Sequence, residues 1–189
     1  MWRDRVDDFD SYIDGVVAAL RGRRVADTAA YAASFLGDHG LIWFLIGVTR
    51  GRRPGPKRAA AIRGVVFSGV VTPVVNAGLK SLVGRTRPHH ETPPQVPLRI
   101  PTTASFPSGH TLAAWCAATL LAEDDPLAPA YYAIAGAISL SRLHVGLHHA
   151  TDVVAGSIIG IALGGLGRAL LPRGGPAMRR LECLGPERC

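Results

Sequence analysis

A chain of 189 residues suits one domain with a full core. Its composition, 48% hydrophobic against 19% charged with 22 glycines, is unusual for a soluble protein and shifts the class toward integral membrane proteins. The net charge of +7 comes mainly from 19 arginines beside two lysines. Such a balance suits nucleic acid, anionic lipid or a phosphorylated substrate. The basic residues lie in loops between apolar segments without an aromatic-interleaved basic face, which argues against nucleic acid. Cys116 sits in an apolar run and Cys183 and Cys189 in the tail, so neither a disulfide framework nor a CxxC metal site is expected.

In chain order, residues 1–14 are charged rather than apolar; no cleavable signal is expected, and the first apolar segment serves as its own membrane signal. Residues 9–20 predict a short amphipathic helix at the membrane interface. Membrane helices are expected over residues 28–48, 61–79, 109–122, 127–140 and 152–171. The first contains a polar notch at Asp38, His39 and Gly40, and the third and fourth form a hairpin about the acidic turn Glu123-Asp124-Asp125-Pro126. A spanning helix needs roughly 20 residues. Residues 111–140 leave only about 22 Å for each of two passes at ~1.5 Å per residue. Those helices therefore extend into their polar flanks, or the bilayer thins locally. In the fifth helix Gly156, Gly160 and Gly164 recur every four residues, a stripe that lets a neighbouring backbone approach closely. From Pro172 the chain is rich in Gly, Pro and Arg and reads as a loosely ordered tail. The expected fold is all-α: a polytopic membrane helix bundle of about five transmembrane helices plus an N-terminal amphipathic helix. Its divisions are an interfacial segment (1–24), a membrane domain (25–171) and a flexible basic tail (172–189).

Folding five passes up and down gathers the costly polar residues onto one side. Lys80, Arg85 and Arg87 follow the second helix, Ser108, Gly109 and His110 open the third, Ser141, Arg142 and His144 close the fourth, and His148 and Asp152 open the fifth. Lys80, Arg87 and Arg142 are cations without enough carboxylates to neutralise them, which suits a phosphate held by guanidinium forks and an ammonium. Ser108 and Gly109 add a helix start whose free amides favour an anion. His148 and Asp152 at i, i+4 share a face, where the carboxylate can accept the Nδ1 proton and leave Nε2 free to attack. His110 can protonate a departing alkoxide as general acid. His39, His89, His90 and His149 read as capping or interfacial residues, and His144 lies near the site without an assigned role.

The spacing Lys80, six residues, Arg87-Pro88; Pro107-Ser108-Gly109-His110; then Ser141-Arg142, five residues, His148, three residues, Asp152 resembles the three-part signature of the type 2 phosphatidic acid phosphatase (PAP2) superfamily, in order and without a departure. The resemblance implies a metal-independent lipid phosphatase with an all-helical core and no cofactor. It implies that His148 becomes a phosphohistidine, Asp152 supports it, and His110 protonates the leaving group and then helps activate water. Lys80, Arg87, Ser108, Gly109 and Arg142 would bind the phosphate. Membrane members commonly have six passes, and this chain lacks a convincing one at its N-terminus.

The expected activity is hydrolysis of a membrane lipid phosphate: phosphatidate, phosphatidylglycerol phosphate, a polyprenyl mono- or diphosphate, or a prenyl-linked sugar phosphate. A non-catalytic lipid-phosphate carrier or a lipid phosphotransferase would use the same fold, and vanadium-dependent haloperoxidases share it but are larger and soluble. The expected partners are the substrate lipid and the bilayer, with no nucleic acid and no obligate protein partner. Once the site cations are set aside, basic residues favour the opposite side, so the positive-inside tendency places the site on the extracytoplasmic face of the cell membrane. The loop over residues 89–106 is expected to cover the site.

Overall fold

The computed structural model describes residues 1–52, 56–88, 102–123 and 125–177. Regular structure among them is helical: α1 (Trp2–Ala18), α2 (Arg24–Gly37), α3 (Leu41–Gly51), α4 (Pro56–Val66), α5 (Thr72–Val83), α6 (Gly109–Leu121), α7 (Ala128–His144) and α8 (Ala150–Leu170). The all-helical expectation holds. Most of the tail expected beyond Pro172, residues 178–189, lies outside the described residues, as does the stretch 89–101 of the expected covering loop.

Helix α6 occupies the centre. Leu112, Ala114, Cys116, Ala117, Ala118 and Leu120 are at most 1% exposed. Trp43 of α3 and Tyr131, Ala135 and Ile138 of α7 close around it on one side, and Phe67 packs with Cys116 and Leu120 on another. Large apolar side chains instead face outward from α5 and α8, including Val74, Leu82, Val154 and Ile158. That is the distribution a lipid-facing bundle requires.

The bounds of the expected passes need correction. By length and composition, two helices among the described residues are able to cross a membrane, Lys57–Val83 and Ala150–Leu170, or three if a bent pair counts as one. The bent pair replaces the single helix expected over residues 28–48. Helices α2 and α3 meet at 60° across a 3-10 turn at Asp38–Gly40. Gly40 there adopts φ +70°, a left-handed conformation that ends regular helix. The polar notch is thus a break. The second helix runs longer than residues 61–79 because a π turn at Phe67–Val71 continues α4 into α5. That wider turn precedes Pro73, which lacks the amide needed to continue an α ladder. The hairpin shows why short passes are tolerated. Helix α6, about 20 Å long at ~1.5 Å per residue, is walled by protein, whereas α7 extends into its polar flank as far as His144. At the N-terminus α1 begins at Trp2, earlier than the expected residue 9.

Two features fix the register of the bundle. At the end remote from His148, the arginine-rich connector and the acidic turn neutralise each other: Arg50 pairs with Asp125, and Arg63 and Arg173 pair with Glu123. Arg63 is fully buried and also donates to the Leu171 carbonyl at 3.1 Å. In the interior, the glycine stripe of α8 lies against α6. A β-carbon on Gly156 would sit 2.8 Å from the Ser108 carbonyl oxygen, one on Gly160 would overlap the Leu112 carbonyl, and one on Gly164 would lie 2.6 Å from Thr119 Cβ. The stripe serves packing, as its spacing predicts. Gly160→Ala is therefore expected to cost about 1–3 kcal/mol by overpacking, seen as a lower unfolding midpoint in detergent. Gly165→Ala, at a position with open space around it, should leave that midpoint unchanged or raise it.

Candidate active site

The chain leaves α5 at Gly84, whose φ of +61° closes the helix, and runs non-helically through residues 84–88 past the turn between α7 and α8. This course delivers Arg87 to that turn. Its Nη1 donates to the Leu147 carbonyl at 2.7 Å and lies 3.3 Å from His148 Nε2. Its Nε donates to the Thr103 carbonyl at 3.1 Å. Lys80, one turn before the end of α5, donates to the Ala104 carbonyl and lies 3.4 Å from Thr103 Oγ1. Residues 103–104 thus brace both cations from one strip of backbone. Arg142, 3% exposed near the end of α7, donates from Nη1 to Ser34 Oγ at 2.6 Å and lies within Coulombic range of Arg87. Lys80 and Arg142, from separate parts of the chain, thus each lie within Coulombic range of Arg87, a repulsion that an anion among them would relieve.

Ser108 and Gly109 begin α6 beside them. The Ser108 amide donates to the Asp152 carbonyl at 3.1 Å, and its buried hydroxyl accepts from Thr111 Oγ1 at 3.0 Å. Its side chain therefore does not cap α6. A β-carbon on Gly109 would meet Asn76 Nδ2 at 2.8 Å, so a larger residue would require the Asn76 side chain to move.

His148 is 6% exposed, and Asp152 is fully buried one turn into α8. His148 Nδ1 lies 3.6 Å from Asp152 Oδ2, slightly beyond hydrogen-bond length. Burial, reinforced by the Arg87 and Arg142 charges and opposed by Asp152, pushes the His148 pKa down to about 4. Its imidazole is therefore neutral near pH 7, the state a nitrogen nucleophile requires.

His110 has a carboxylate partner that the sequence reading missed. Its Nε2 lies 2.7 Å from Asp38 Oδ1, at the break between α2 and α3. The break also brings Ser34 to Arg142. The signal was visible as a polar notch in apolar sequence, but a continuous helix hid its purpose. Asp10 was likewise missed, and Arg85, gathered on the site side by the alternation of passes, had no assigned role: Arg85 donates to Asp152 and to Asp10, which is buried on α1. His144, left without a role, has Nε2 2.7 Å from Asp27 Oδ1 of α2 and so helps dock that helix. His149 forms a capping box with Asp152 at the start of α8, in keeping with its reading as a cap. Among the described residues no three His, Cys, Asp or Glu side chains group as metal ligands.

The family model of the PAP2 superfamily matches residues 61–174. The decaprenylphosphoryl-5-phosphoribose phosphatase of Mycolicibacterium smegmatis is 34% identical over 151 residues, 78% of this chain and 80% of that protein. Its namesake in Mycobacterium tuberculosis is 28% identical over 153 residues, 80% of this chain and 84% of that one. Two crystal structures share the fold at a TM-score of 0.67 and 22% identity. One is a transmembrane PAP2 type phosphatidylglycerolphosphate phosphatase from Bacillus subtilis, covering 88% of this chain and 86% of that one. The other is Aquifex aeolicus LpxE, covering 84% and 93%.

A cluster of cations of this kind should bind a phosphate-like oxyanion. Orthovanadate is expected to bind in calorimetry, and Arg142→Ala to weaken it roughly 10- to 100-fold, the worth of a charge-assisted hydrogen bond of about 1.5–3 kcal/mol.

Proposed function

Because the chain belongs to the PAP2 superfamily of lipid phosphatases, we propose that this membrane protein hydrolyses the terminal phosphate of a prenyl-linked sugar phosphate through a phosphohistidine on His148. The observation that carries the mechanism is the buried, neutral His148 with Nε2 beside Arg87 and Nδ1 toward Asp152. The relatives named for decaprenylphosphoryl-5-phosphoribose support this substrate class over a glycerophospholipid.

In this reading Lys80, Arg87 and Arg142 hold the non-bridging phosphate oxygens, with the Ser108 and Gly109 helix start beside them. His148 Nε2 attacks phosphorus as the bond to the leaving oxygen breaks. His110, with Asp38 accepting one of its N–H groups, gives a proton to that oxygen. Asp152 stabilises the positive charge that develops on the His148 ring. Water then attacks the phosphohistidine and passes its proton to the now neutral His110, releasing inorganic phosphate and restoring His148. The protein cations supply the charge stabilisation, so the reaction needs no metal ion. The site opens on the extracytoplasmic face of the cell membrane; the excess of basic residues at the opposite end supports that orientation.

Phosphate release from a panel of lipids in detergent with EDTA present tests the assignment. The prenyl-linked pentose phosphate should turn over fastest, ahead of phosphatidate, phosphatidylglycerol phosphate and polyprenyl diphosphate. His148→Ala should abolish turnover and acid-labile ³²P labelling while retaining the wild-type unfolding profile. Full turnover by that variant, or loss of wild-type activity in EDTA, refutes the mechanism.

The pH profile supplies a second test. Neutral His148 is the reactive form, so kcat/KM should fall on the acid side as the ring protonates near its pKa of about 4. The alkaline limb should follow loss of the His110 proton, giving a bell-shaped profile. An acid limb centred near pH 6.5 would show His148 to titrate as an ordinary exposed histidine.

A further inference from the structure

Each guanidinium of the stretch after Gly84 reaches a different part of the α7–α8 turn. Arg87 reaches the Nε2 side of His148, and Arg85 reaches the carboxylate behind it. Arg85 Nη1 donates to Asp152 Oδ1 at 3.0 Å and to Thr151 Oγ1 at 2.7 Å. Its Nη2 donates to Asp10 Oδ2 at 2.6 Å. Asp10, 5% exposed on the inward face of α1, accepts the Thr151 backbone amide on Oδ1 and the Thr151 hydroxyl on Oδ2, both at 2.8 Å. That amide belongs to the first turn of α8, where no helical carbonyl is available to it. Asp10 therefore caps from another helix the element that carries Asp152. The other oxygen of Asp152 accepts the His149 amide at 2.9 Å. Arg85 and that amide together leave the carboxylate little freedom to rotate, with Oδ2 toward His148.

We propose that Arg85 and Asp10 are positioning residues that fix the orientation of Asp152, so that the N-terminal helix α1 completes the catalytic centre. The inference rests on the phosphohistidine reading above. Arg85 separates two buried carboxylates that would otherwise repel, and Asp10 holds Arg85 so that it does not swing toward the phosphate cluster. Burial works against the charge on Arg85, but its hydrogen bond to Asp10 and the nearby Asp152 raise its pKa above the ordinary arginine value. Direct contact between Asp10 and the phosphate is unfavourable. The cavity beside Asp10, about 320 Å³, is lined also by Asp7, Asp14, Arg85 and His148 but by none of Lys80, Arg87, His110 or Arg142. Carboxylates there repel an anion, so the residue acts through Arg85 and Asp152.

The test compares Asp10→Asn, Arg85→Lys and Arg85→Ala with wild type in the full-length protein. The readouts are the rate of ³²P-phosphohistidine formation, KM and the orthovanadate Kd. Misorientation of the supporting carboxylate is expected to slow phosphohistidine formation roughly 10- to 100-fold in Asp10→Asn and Arg85→Ala. KM and the vanadate Kd should stay within about twofold, because the phosphate-binding cations are untouched, and Arg85→Lys should recover part of the rate. In an Asp152→Asn background, Asp10→Asn should slow the reaction no further, since its effect passes through Asp152. Wild-type rates in Asp10→Asn and Arg85→Ala, additive losses in the double variant, or loss of vanadate binding along with activity would each overturn the proposal. The underlying reading fails separately, if the wild-type protein itself forms no acid-labile phosphohistidine.

Discussion

The close contact between α6 and α8 is the constraint on which the site depends. Gly156 and Gly160 allow the two backbones to approach until the Ser108 amide reaches the Asp152 carbonyl at 3.1 Å. This bond joins the start of the helix that carries His110 to the start of the helix that carries Asp152. Within a bilayer, water offers little help in driving helices together, so close van der Waals contact and interhelical hydrogen bonds must do it. The spacing of His110 and His148 is consequently set by residues without side chains.

The electrostatic design follows from burial around that junction. Lys80, Arg87 and Arg142 carry charge in partly buried surroundings and are braced by carbonyl and hydroxyl oxygens of Thr103, Ala104 and Ser34. These neutral acceptors orient the cations. The carboxylates are kept close to the histidines, Asp152 at His148 and Asp38 at His110. At the remote end the logic reverses: Arg50, Arg63 and Arg173 pair directly with Asp125 and Glu123, where the charges hold helices together.

The motif residues were legible because their spacing is local or linked by simple alternation of passes. His148 and Asp152 lie one helical turn apart, and the end of α5 and the starts of α6 and α8 must meet if the helices alternate. What stayed hidden depends on breaks and long-range docking. The single helix expected over residues 28–48 concealed Asp38, because periodicity does not reveal that Gly40 takes a left-handed conformation. Asp10 was read only as part of an amphipathic face. Its partners, Arg85 and Thr151, are 75 and 141 residues away in sequence, beyond the reach of any local pattern. The tension over short passes arose for a related reason: a length rule built for helices in lipid does not apply to α6, whose surroundings are protein.

The two faces of α8 are bound by unequal rules. Val154, Ile158 and Ile161 point away from the bundle and are 44–62% exposed, so any apolar side chain of similar bulk serves there. The opposite face admits nothing larger than a hydrogen atom at Gly156, Gly160 and Gly164. Across descendants of this chain, neutral drift should accumulate along the outer side of α8 while its inner side stands still, so that sequence divergence overstates the change in the helix itself.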